Sequence, residues 1–184
     1  EAFWNIDVVP GIKFTKDNNP LTNFNSIVKE AYSGNIITTV FGGGTADTEF
    51  SFLTGHSLAI TNDISNPYVL YIRKNVMALP WIMKNENYTT TSFHPGYSWF
   101  YNRFSVYDYF GFSRRFFVDD MLEVEANSSG YVYDMNAVNF ILDDFNKHLN
   151  KNTDSPYFNF TVTIQNHGPY AKTNAGYPQV LSKE

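Results

Sequence analysis

Residues 40–50 read Val40-Phe41-Gly42-Gly43-Gly44-Thr45-Ala46-Asp47-Thr48-Glu49-Phe50, and this segment joins a predicted strand to a predicted helix. The β-branched residues 35–40 are typical of a buried strand, and residues 45–53 are typical of a helix. Three glycines at such a junction let backbone N–H groups approach an anion closely, and the helix N-terminus adds a favourable partial charge. In an α/β fold, Thr45 then lies at the carboxyl edge of the sheet, where ligands bind. The same residues also fit a tight turn in which Thr45 is only the N-cap of the helix.

Patterns typical of strands and of helices alternate along the rest of the chain. Further helices are predicted over residues 20–30, 77–85, 101–110 and 134–149, and further strands over residues 88–93 and 158–164. The last helix has the clearest amphipathic pattern, with an apolar stripe of Val138, Ile141, Leu142, Phe145 and Leu149. Asp144 and His148 of this helix are expected at the surface. The alternation predicts an α/β layered fold with a mainly parallel sheet flanked by helices.

Composition narrows the class of protein. A length of 184 residues suits one domain, or part of one, over residues 1–184. A content of 43% hydrophobic against 17% charged residues excludes a disordered tail. The net charge of −5 argues against nucleic acid as a partner, because phosphate backbones bind basic surfaces. The sequence contains no cysteine, which excludes disulfides, thiolate metal sites and cysteine nucleophiles. It also contains no apolar run of the ~20 residues that a membrane helix needs.

Polar side chains follow two further predicted strands. One strand runs into His94, and Tyr101 and Arg103 come shortly after it. The planar fork of an arginine suits a phosphate group because it can donate two parallel hydrogen bonds. The last predicted strand is followed by Asn166-His167-Gly168-Pro169, which places His167 at the same edge of the sheet. Each segment alone also fits a structural turn, and three strand ends with phosphate-compatible groups are harder to explain as turns than any one of them.

In this order, the segments resemble the lipoteichoic acid synthase and phosphoglycerol transferase family, a branch of the alkaline phosphatase and sulfatase superfamily. The resemblance covers essentially the whole chain and implies an alkaline-phosphatase-like fold. The matching motifs are Glu1-Ala2-Phe3-Trp4, Gly42-Gly43-Gly44-Thr45-Ala46-Asp47-Thr48-Glu49-Phe50, His94-Pro95, Phe100-Tyr101-Asn102-Arg103 and Asn166-His167-Gly168-Pro169-Tyr170.

The resemblance implies a metal-assisted site. Thr45 matches the family nucleophile, which is also a metal ligand, and Glu1 matches a second metal ligand. The implied metal is Mn²⁺, with Mg²⁺ or Zn²⁺ as substitutes, since oxygen ligands fit the harder ions. Four further positions match family residues that hold the phosphate and the glycerol hydroxyls: His94, Tyr101, Arg103 and His167.

The implied reaction moves a glycerol-phosphate group from a phosphatidylglycerol-like lipid to a polymer or glycan hydroxyl. It proceeds through a covalent intermediate on Thr45 and releases diacylglycerol. The expected partners are therefore an anionic phospholipid donor and a glycerol-phosphate polymer or glycan acceptor. The implied location is the outer face of the bacterial cytoplasmic membrane, where a membrane-anchored parent protein exposes its catalytic domain. This piece itself is expected to be soluble.

The chain departs from the family pattern at one point, and three alternative functions stay open. The family completes its metal site with an Asp-His pair, and this chain contains no such dipeptide. We therefore expect an internal fragment of a longer catalytic domain, incomplete at both ends and inactive alone. A sulfatase-like hydrolase requires a cysteine or serine where this chain has Thr45, whereas a phosphoethanolamine transferase also uses threonine. From another class, a non-catalytic module would bind anionic polymer through His94, Arg103 and His167.

Overall fold

The computed structural model describes residues 5–38, 40, 43–58, 66–151 and 154–168. Its α-helices are α1 Thr22–Glu30, α2 Thr45–Thr54, α3 Pro67–Leu70, α4 Leu79–Asn85, α5 Arg103–Tyr109 and α6 Asp134–Leu149. Its strands are β1 Thr89–His94, β2 Arg114–Phe117 and β3 Tyr157–Thr161. Short 3₁₀ turns cover Ile6–Val8, Phe100–Asn102 and Val118–Asp120. Of the described helices, none combines the length and the apolarity that crossing a bilayer requires.

The three strands form one parallel sheet in the order β2-β1-β3. The central strand β1 is buried from its second residue onward. Its threonine hydroxyls are paired locally, since Thr90 Oγ1 donates to the Gly111 carbonyl and Thr91 Oγ1 donates to the Phe158 carbonyl. These partners compensate the burial of the two threonine side chains, whereas the buried Ser92 Oγ has no hydrogen-bond partner among the described residues.

Helices cover both faces of this sheet. On one face, Phe140 of α6 stacks on Phe93 with ring centroids 4.6 Å apart. On the other face, Tyr107 of α5 stacks on Phe117 and meets Phe160 edge to face. This layered arrangement confirms the predicted α/β class with a parallel sheet flanked by helices.

An aromatic core fills the space between the sheet and the helices α2, α3 and α5. Its buried rings are Tyr68, Tyr107, Phe110, Phe112 and Phe117. Tyr68 and Phe110 meet edge to face at 5.6 Å, a geometry that aromatic quadrupoles favour. The high aromatic content of the sequence therefore builds the core that supports α2 and α5.

The predicted strand over residues 35–40 is wrong for the residues that the structure describes there. Residues 35–38 and 40 have no regular structure, and Ile36 and Ile37 are exposed. A β-branched run becomes a strand only where a neighbouring strand pairs with it, and the described residues contain no such partner for this run. Thr45 begins a helix as predicted, but among the described residues no strand leads into it.

The predicted buried face of α6 is correct only in part, although its bounds agree with the prediction: Ile141 and Phe145 of the apolar stripe are half-buried. Val138, Leu142 and Leu149 are exposed, whereas Asp144 and His148 are buried. Asp144 accepts two hydrogen bonds from Arg114 at 2.5 and 2.9 Å and a third from Tyr157 at 2.7 Å. His148 bonds the Ser155 carbonyl through Nε2 at 2.7 Å. These partners compensate the burial of both polar groups, which hydrophobic patterning cannot anticipate.

The backbone angle and the surroundings of Gly111 lead to the first prediction of a mutational effect. Its φ is +94°, and a Cβ atom there would lie 2.5 Å from the Trp81 ring, which is itself held by a hydrogen bond to the Tyr109 carbonyl. We expect Gly111→Ala to lower the free energy of unfolding by about 2 kcal/mol or more through combined strain and overpacking. Gly11→Ala is the control, because Gly11 has φ +85° and nothing within 4 Å of the added atom. If both variants lost the same free energy of unfolding in urea, this result would contradict a contribution from overpacking at Gly111.

Candidate functional site

The first turn of α2 places the Thr45 hydroxyl at a helix N-terminus. Gly44 precedes it with φ of 71°, a left-handed conformation that glycine adopts without strain. A Cβ atom at Gly44 would lie 3.1 Å from Asp47 Oδ2, so the turn is also tight. The N-terminus of a helix carries a positive partial charge and unpaired N–H groups. The position of Thr45 therefore suits a hydroxyl that meets an anion.

One turn below Thr45, Glu49 forms a buried ion pair with Arg103. Residues four apart on a helix share a face, so Thr45 and Glu49 lie on the same side of α2. Arg103 Nη2 donates to Glu49 Oε1 at 2.6 Å, and Arg103 Nε lies 3.2 and 3.3 Å from the two carboxylate oxygens. The Tyr107 hydroxyl donates to Glu49 Oε2 at 2.8 Å. With the side chains only 2% and 3% exposed, this geometry fixes the guanidinium in one orientation.

Electrostatics keep Arg103 charged and Tyr107 protonated. Burial disfavours the charge of Arg103, but the neighbouring Glu49 carboxylate raises the pKa of its guanidinium above the usual value. Burial, and then the same carboxylate, raises the pKa of Tyr107 well above 10, so the phenol remains a donor to Glu49. Arg103 therefore stays a fixed cation at every physiological pH.

Arg103 keeps one donor outside this ion pair. Its Nη1 atom is buried and has no hydrogen-bond partner among the residues that the structure describes. The Tyr101 ring lies over the guanidinium at 5.1 Å from its centroid, a cation–π contact. Tyr101 and Asn102 reach this position with φ of 56° and 57°, a left-handed conformation that costs energy for non-glycine residues. Such strain is typical of functional sites, and an unengaged buried donor is suited to an anionic ligand.

His94 ends the central strand β1 and is almost fully buried. Its Nδ1–H donates to the Val162 carbonyl at 2.8 Å, which assigns the tautomer and leaves Nε2 as an acceptor. Burial, and then the charge of Arg103, lowers the pKa of His94 from 6.5 to about 4. His94 is therefore neutral at pH 7. It suits a hydroxyl group as a ligand better than it suits a phosphate charge.

This pKa predicts how stability depends on pH. Between pH 6.5 and about 4, the unfolded state binds the proton that folded His94 refuses, so stability falls as the pH drops through this range. The His94 contribution to this loss is about 3 kcal/mol, since one pKa unit corresponds to about 1.4 kcal/mol. Arg103 and His167 add to the lowering, and Glu49 and the Val162 hydrogen bond oppose it.

The measurement is urea unfolding at pH 7 and pH 4.5. We expect His94→Asn to lose most of the pH dependence that the wild type shows in this window. His56→Asn is the control, because His56 is exposed on the loop after α2. A His94→Asn variant with the wild-type pH profile would refute the neutral, buried histidine.

His167 meets His94 at a shared cavity of about 580 Å³. It follows β3 on a loop and is exposed, and its Nδ1–H donates to the Gly168 carbonyl at 2.6 Å. The Tyr131 ring meets the His167 ring edge-on with centroids 5.4 Å apart. Two of the predicted site histidines therefore line one cavity, and the Arg103 charge acts on His94 at its wall.

The structure thus brings several of the predicted site residues close to one another. Others are not in contact with this group or lie outside the described residues. Tyr101 contacts Arg103, His94 and His167 share a cavity, and Thr45 lies one turn from the carboxylate that holds Arg103. Glu1 lies outside the described residues. Their catalytic and binding roles remain predictions.

The predicted metal site cannot be completed from the described residues. In those ranges, there is no group of three or more histidine, cysteine, aspartate or glutamate side chains that could hold a metal ion. A divalent ion with oxygen ligands needs several such donors, and of the two predicted ligands only Thr45 is described. The described donor set alone therefore does not fit the ion, and Mn²⁺ binding remains a prediction.

Sequence reasoning missed the roles of Glu49 and Tyr107. Glu49 lies in the glycine-threonine motif, and its spacing of four from Thr45 is the signal that both share a helix face. Its pairing with Arg103, 54 residues later, is a tertiary contact that no local pattern encodes. Tyr107 gave no signal beyond its position one helical turn after Arg103.

The fold is that of an alkaline-phosphatase-like α/β domain. The structure is similar to a protein of the alkaline phosphatase superfamily from Vibrio parahaemolyticus, with a TM-score of 0.58 and 21% identity over 76% of this chain and 32% of the other. The model of the Sulfatase family matches residues 9–181. The chain belongs to the Sulfatase family.

Two further proteins are similar to this chain. A putative cyclic beta-1,2-glucan modification protein of Rhizobium meliloti (strain 1021) is 35% identical over 175 residues, which cover 92% of this chain and 25% of that protein. The Streptococcus pyogenes phosphoglycerol transferase GacH, solved in complex with sn-glycerol-1-phosphate, has a TM-score of 0.64 and 21% identity over 86% of this chain and 43% of its own.

The lipoteichoic acid synthase LtaP of Listeria monocytogenes has a TM-score of 0.52 and 21% identity, covering 72% of this chain and 31% of its own. At this identity the solved structures establish the shared fold only. The chain spans a quarter of the curated relative and less than half of each solved structure.

Proposed function

We propose that this chain is part of a metal-dependent phosphoglycerol transferase. It moves a glycerol-phosphate group from a phosphatidylglycerol-like lipid to a hydroxyl of a glycan or a glycerol-phosphate polymer. The observation that carries the proposal is the buried Glu49–Arg103 pair, in which Glu49 lies one helical turn from Thr45 and Arg103 Nη1 keeps a donor without a partner among the described residues. Fixed donors of this kind stabilise the charge that develops on a phosphoryl group.

The proposed reaction has two displacement steps at phosphorus. In the first, the Thr45 hydroxyl gives up its proton as Oγ bonds to phosphorus, the bond between phosphorus and the diacylglycerol oxygen breaks, and that oxygen takes up a proton as diacylglycerol leaves. In the second, an acceptor hydroxyl gives up its proton as its oxygen bonds to phosphorus, the bond between phosphorus and Thr45 Oγ breaks, and Thr45 regains a proton. Arg103 binds the phosphoryl oxygens in both steps, and neutral His94 offers Nε2 to a hydroxyl.

Two relatives support the choice of substrates within the proposal. GacH is described as a phosphoglycerol transferase with bound sn-glycerol-1-phosphate, and the Rhizobium meliloti relative is described as modifying a cyclic glucan. Among the two acceptors, we therefore favour a glycan. We propose the outer face of the bacterial cytoplasmic membrane as the location, with a membrane-anchored parent protein, because the lipid donor lies there.

The test uses the full-length protein in buffer with Mn²⁺. Vesicles containing phosphatidylglycerol with a radiolabelled headgroup glycerol are mixed with a neutral gluco-oligosaccharide. We expect release of diacylglycerol and transfer of the label to the oligosaccharide. Label released only as free glycerol phosphate would indicate a hydrolase, and transfer of ethanolamine phosphate instead would indicate a phosphoethanolamine transferase. Binding of lipid without any turnover would support a non-catalytic module.

A further inference from the structure

We infer that the buried hydroxyl of Tyr68 is a positioning group for the anion site, and that it closes on the Glu49 carboxylate when an anion binds Arg103. This inference rests on the proposed function, because it concerns the cation that the proposed reaction uses. Tyr68 lies in α3, outside the motifs that carry the family resemblance, and the two displacement steps give it no part.

The ring of Tyr68 is packed into the core beside the ion pair. The residue is 0% exposed, and its ring meets those of Phe110 and Tyr107 edge to face, with centroids 5.6 and 6.3 Å apart. The helix α3 packs against α2, which carries Glu49, and against the 3₁₀ turn that leads into α5. These contacts hold the phenol in one place between the two elements that supply the ion pair.

The hydroxyl of Tyr68 adds nothing to this packing. Its oxygen is buried and has no hydrogen-bond partner among the residues that the structure describes. A buried polar group without a partner destabilises a fold relative to an apolar group of the same shape. A phenylalanine would make the same ring contacts without this cost, so the hydroxyl requires an explanation other than stability.

The Tyr68 hydroxyl is a donor that stands next to an acceptor with spare capacity. Burial, and then the charge of Glu49, raise the pKa of Tyr68 well above its usual value, whereas Arg103 lowers it. The phenol therefore keeps its proton. Two N–H groups of Arg103 and the Tyr107 hydroxyl already donate to Glu49. Since a carboxylate can accept about four hydrogen bonds, Glu49 has room for a second phenol.

Anion binding creates the need for this additional donor. Arg103 holds Glu49 through Nε and Nη2, and its buried Nη1 has no partner among the described residues. A phosphate at Nη1 therefore shares one cation with the Glu49 carboxylate, and the two negative charges repel each other in a medium of low dielectric constant. One more hydrogen bond to Glu49 disperses its charge and reduces this repulsion. Tyr68 supplies it by a small movement of its hydroxyl, while the guanidinium keeps its orientation.

The test compares Tyr68→Phe with Tyr157→Phe in the full-length protein. Both variants remove a phenol hydroxyl next to a buried carboxylate, but the Tyr157 hydroxyl donates to Asp144 at 2.7 Å, on the face of the sheet that α6 covers. Isothermal titration with sn-glycerol-1-phosphate in buffer with Mn²⁺ measures anion binding, and urea unfolding measures stability.

We expect the two variants to have opposite effects. Tyr68→Phe should weaken binding about tenfold, the effect of about one hydrogen bond to a charged group, with a free energy of unfolding equal to the wild type or above it. Tyr157→Phe should bind as the wild type does and should be less stable, because its hydroxyl is already bonded. A merely structural tyrosine at position 68 would not lower the affinity while stability is kept.

The outcome is separable from that of the proposed function, since binding of sn-glycerol-1-phosphate requires no turnover and no nucleophile. Wild-type affinity in Tyr68→Phe would overturn the inference and leave the proposed reaction intact. A loss of stability in Tyr68→Phe that matches its loss of affinity would also overturn it, because the hydroxyl would then support the fold. If the wild type did not bind sn-glycerol-1-phosphate, the anion site at Arg103 would be wrong, and the proposed function would fail together with the inference.

Discussion

Replacing Thr45 by alanine should lower the rate of phosphoglycerol transfer by about a thousandfold or more, because removal of a covalent nucleophile leaves only the binding and charge stabilisation of the site. Folding should be unaffected, since the side chain is partly exposed at the start of α2. The measurement is diacylglycerol release from phosphatidylglycerol vesicles by the full-length protein. Thr45→Ser should keep part of the activity because it retains the hydroxyl.

Thr54→Ala is the matched control for this prediction. Thr54 lies at the other end of the same helix, where its hydroxyl donates to the Phe50 carbonyl at 2.7 Å. Its loss should change stability slightly and transfer little. If Thr45→Ala turned over donor lipid at the wild-type rate, Thr45 would not be the nucleophile, and the two-step reaction proposed above would fail.

Glu49→Ala should destabilise the fold by about 3–5 kcal/mol, because it leaves the guanidinium of Arg103 buried without its counter-charge. It also removes the acceptor of the Tyr107 hydroxyl. The measurement is the free energy of unfolding in urea. Asp108→Ala is the control: it breaks the Arg115–Asp108 pair, in which the aspartate is 59% exposed, and surface pairs of this kind contribute about 0–1 kcal/mol.

A double variant separates the stabilising role of this pair from its functional role. Glu49→Leu with Arg103→Met replaces both charges by apolar groups, which for buried pairs is often close to neutral in stability. We expect it to be more stable than Glu49→Ala but inactive in transfer, because the phosphate has lost its fixed donor. Equal effects of Glu49→Ala and Asp108→Ala would contradict the buried pair, and an active double variant would remove Arg103 from the site.

The helix α6 shows what a hydrophobic pattern can and cannot specify. Its bounds followed from a long amphipathic repeat, since sixteen residues average out local ambiguity. The face that packs on the sheet did not follow from the pattern, because the charge of Arg114 and the hydrogen bonds from Arg114 and Tyr157 compensate the burial of Asp144. These partners lie on β2 and β3, and their contacts with α6 exist only in the folded chain.

The strands, like α6, were predicted from the sequence only in part. The prediction over residues 88–93 matches β1 to within one residue at each end, whereas the prediction over residues 158–164 finds β3 but extends three residues beyond its end at Thr161. Residues 35–40 are mostly β-branched but have no partner strand in the described part of the chain. The strand β2 was missed because two of its four residues are arginines. Strand propensity is conditional on pairing, which a single sequence does not reveal.

The candidate site was predictable to the extent that it uses strand ends and motif residues. His94 and His167 follow strands and line one cavity, and Arg103 follows the strand β1 by less than ten residues. The partner that fixes Arg103 was not predictable, because Glu49 and Tyr107 act through tertiary contacts. The low pKa of His94 was equally hidden, since it arises from burial and from the Arg103 charge.

The central claim is that Thr45 carries the phosphoglycerol group during the reaction, and peptide mass spectrometry tests it directly. The full-length protein is mixed with phosphatidylglycerol vesicles and Mn²⁺ in the absence of acceptor, quenched with acid and digested. We predict one phosphoglycerol group on the peptide that contains Thr45 and none on that peptide from Thr45→Ala. An active wild-type protein that carries the group on another residue, or that shows no adduct while transfer proceeds, would contradict the account.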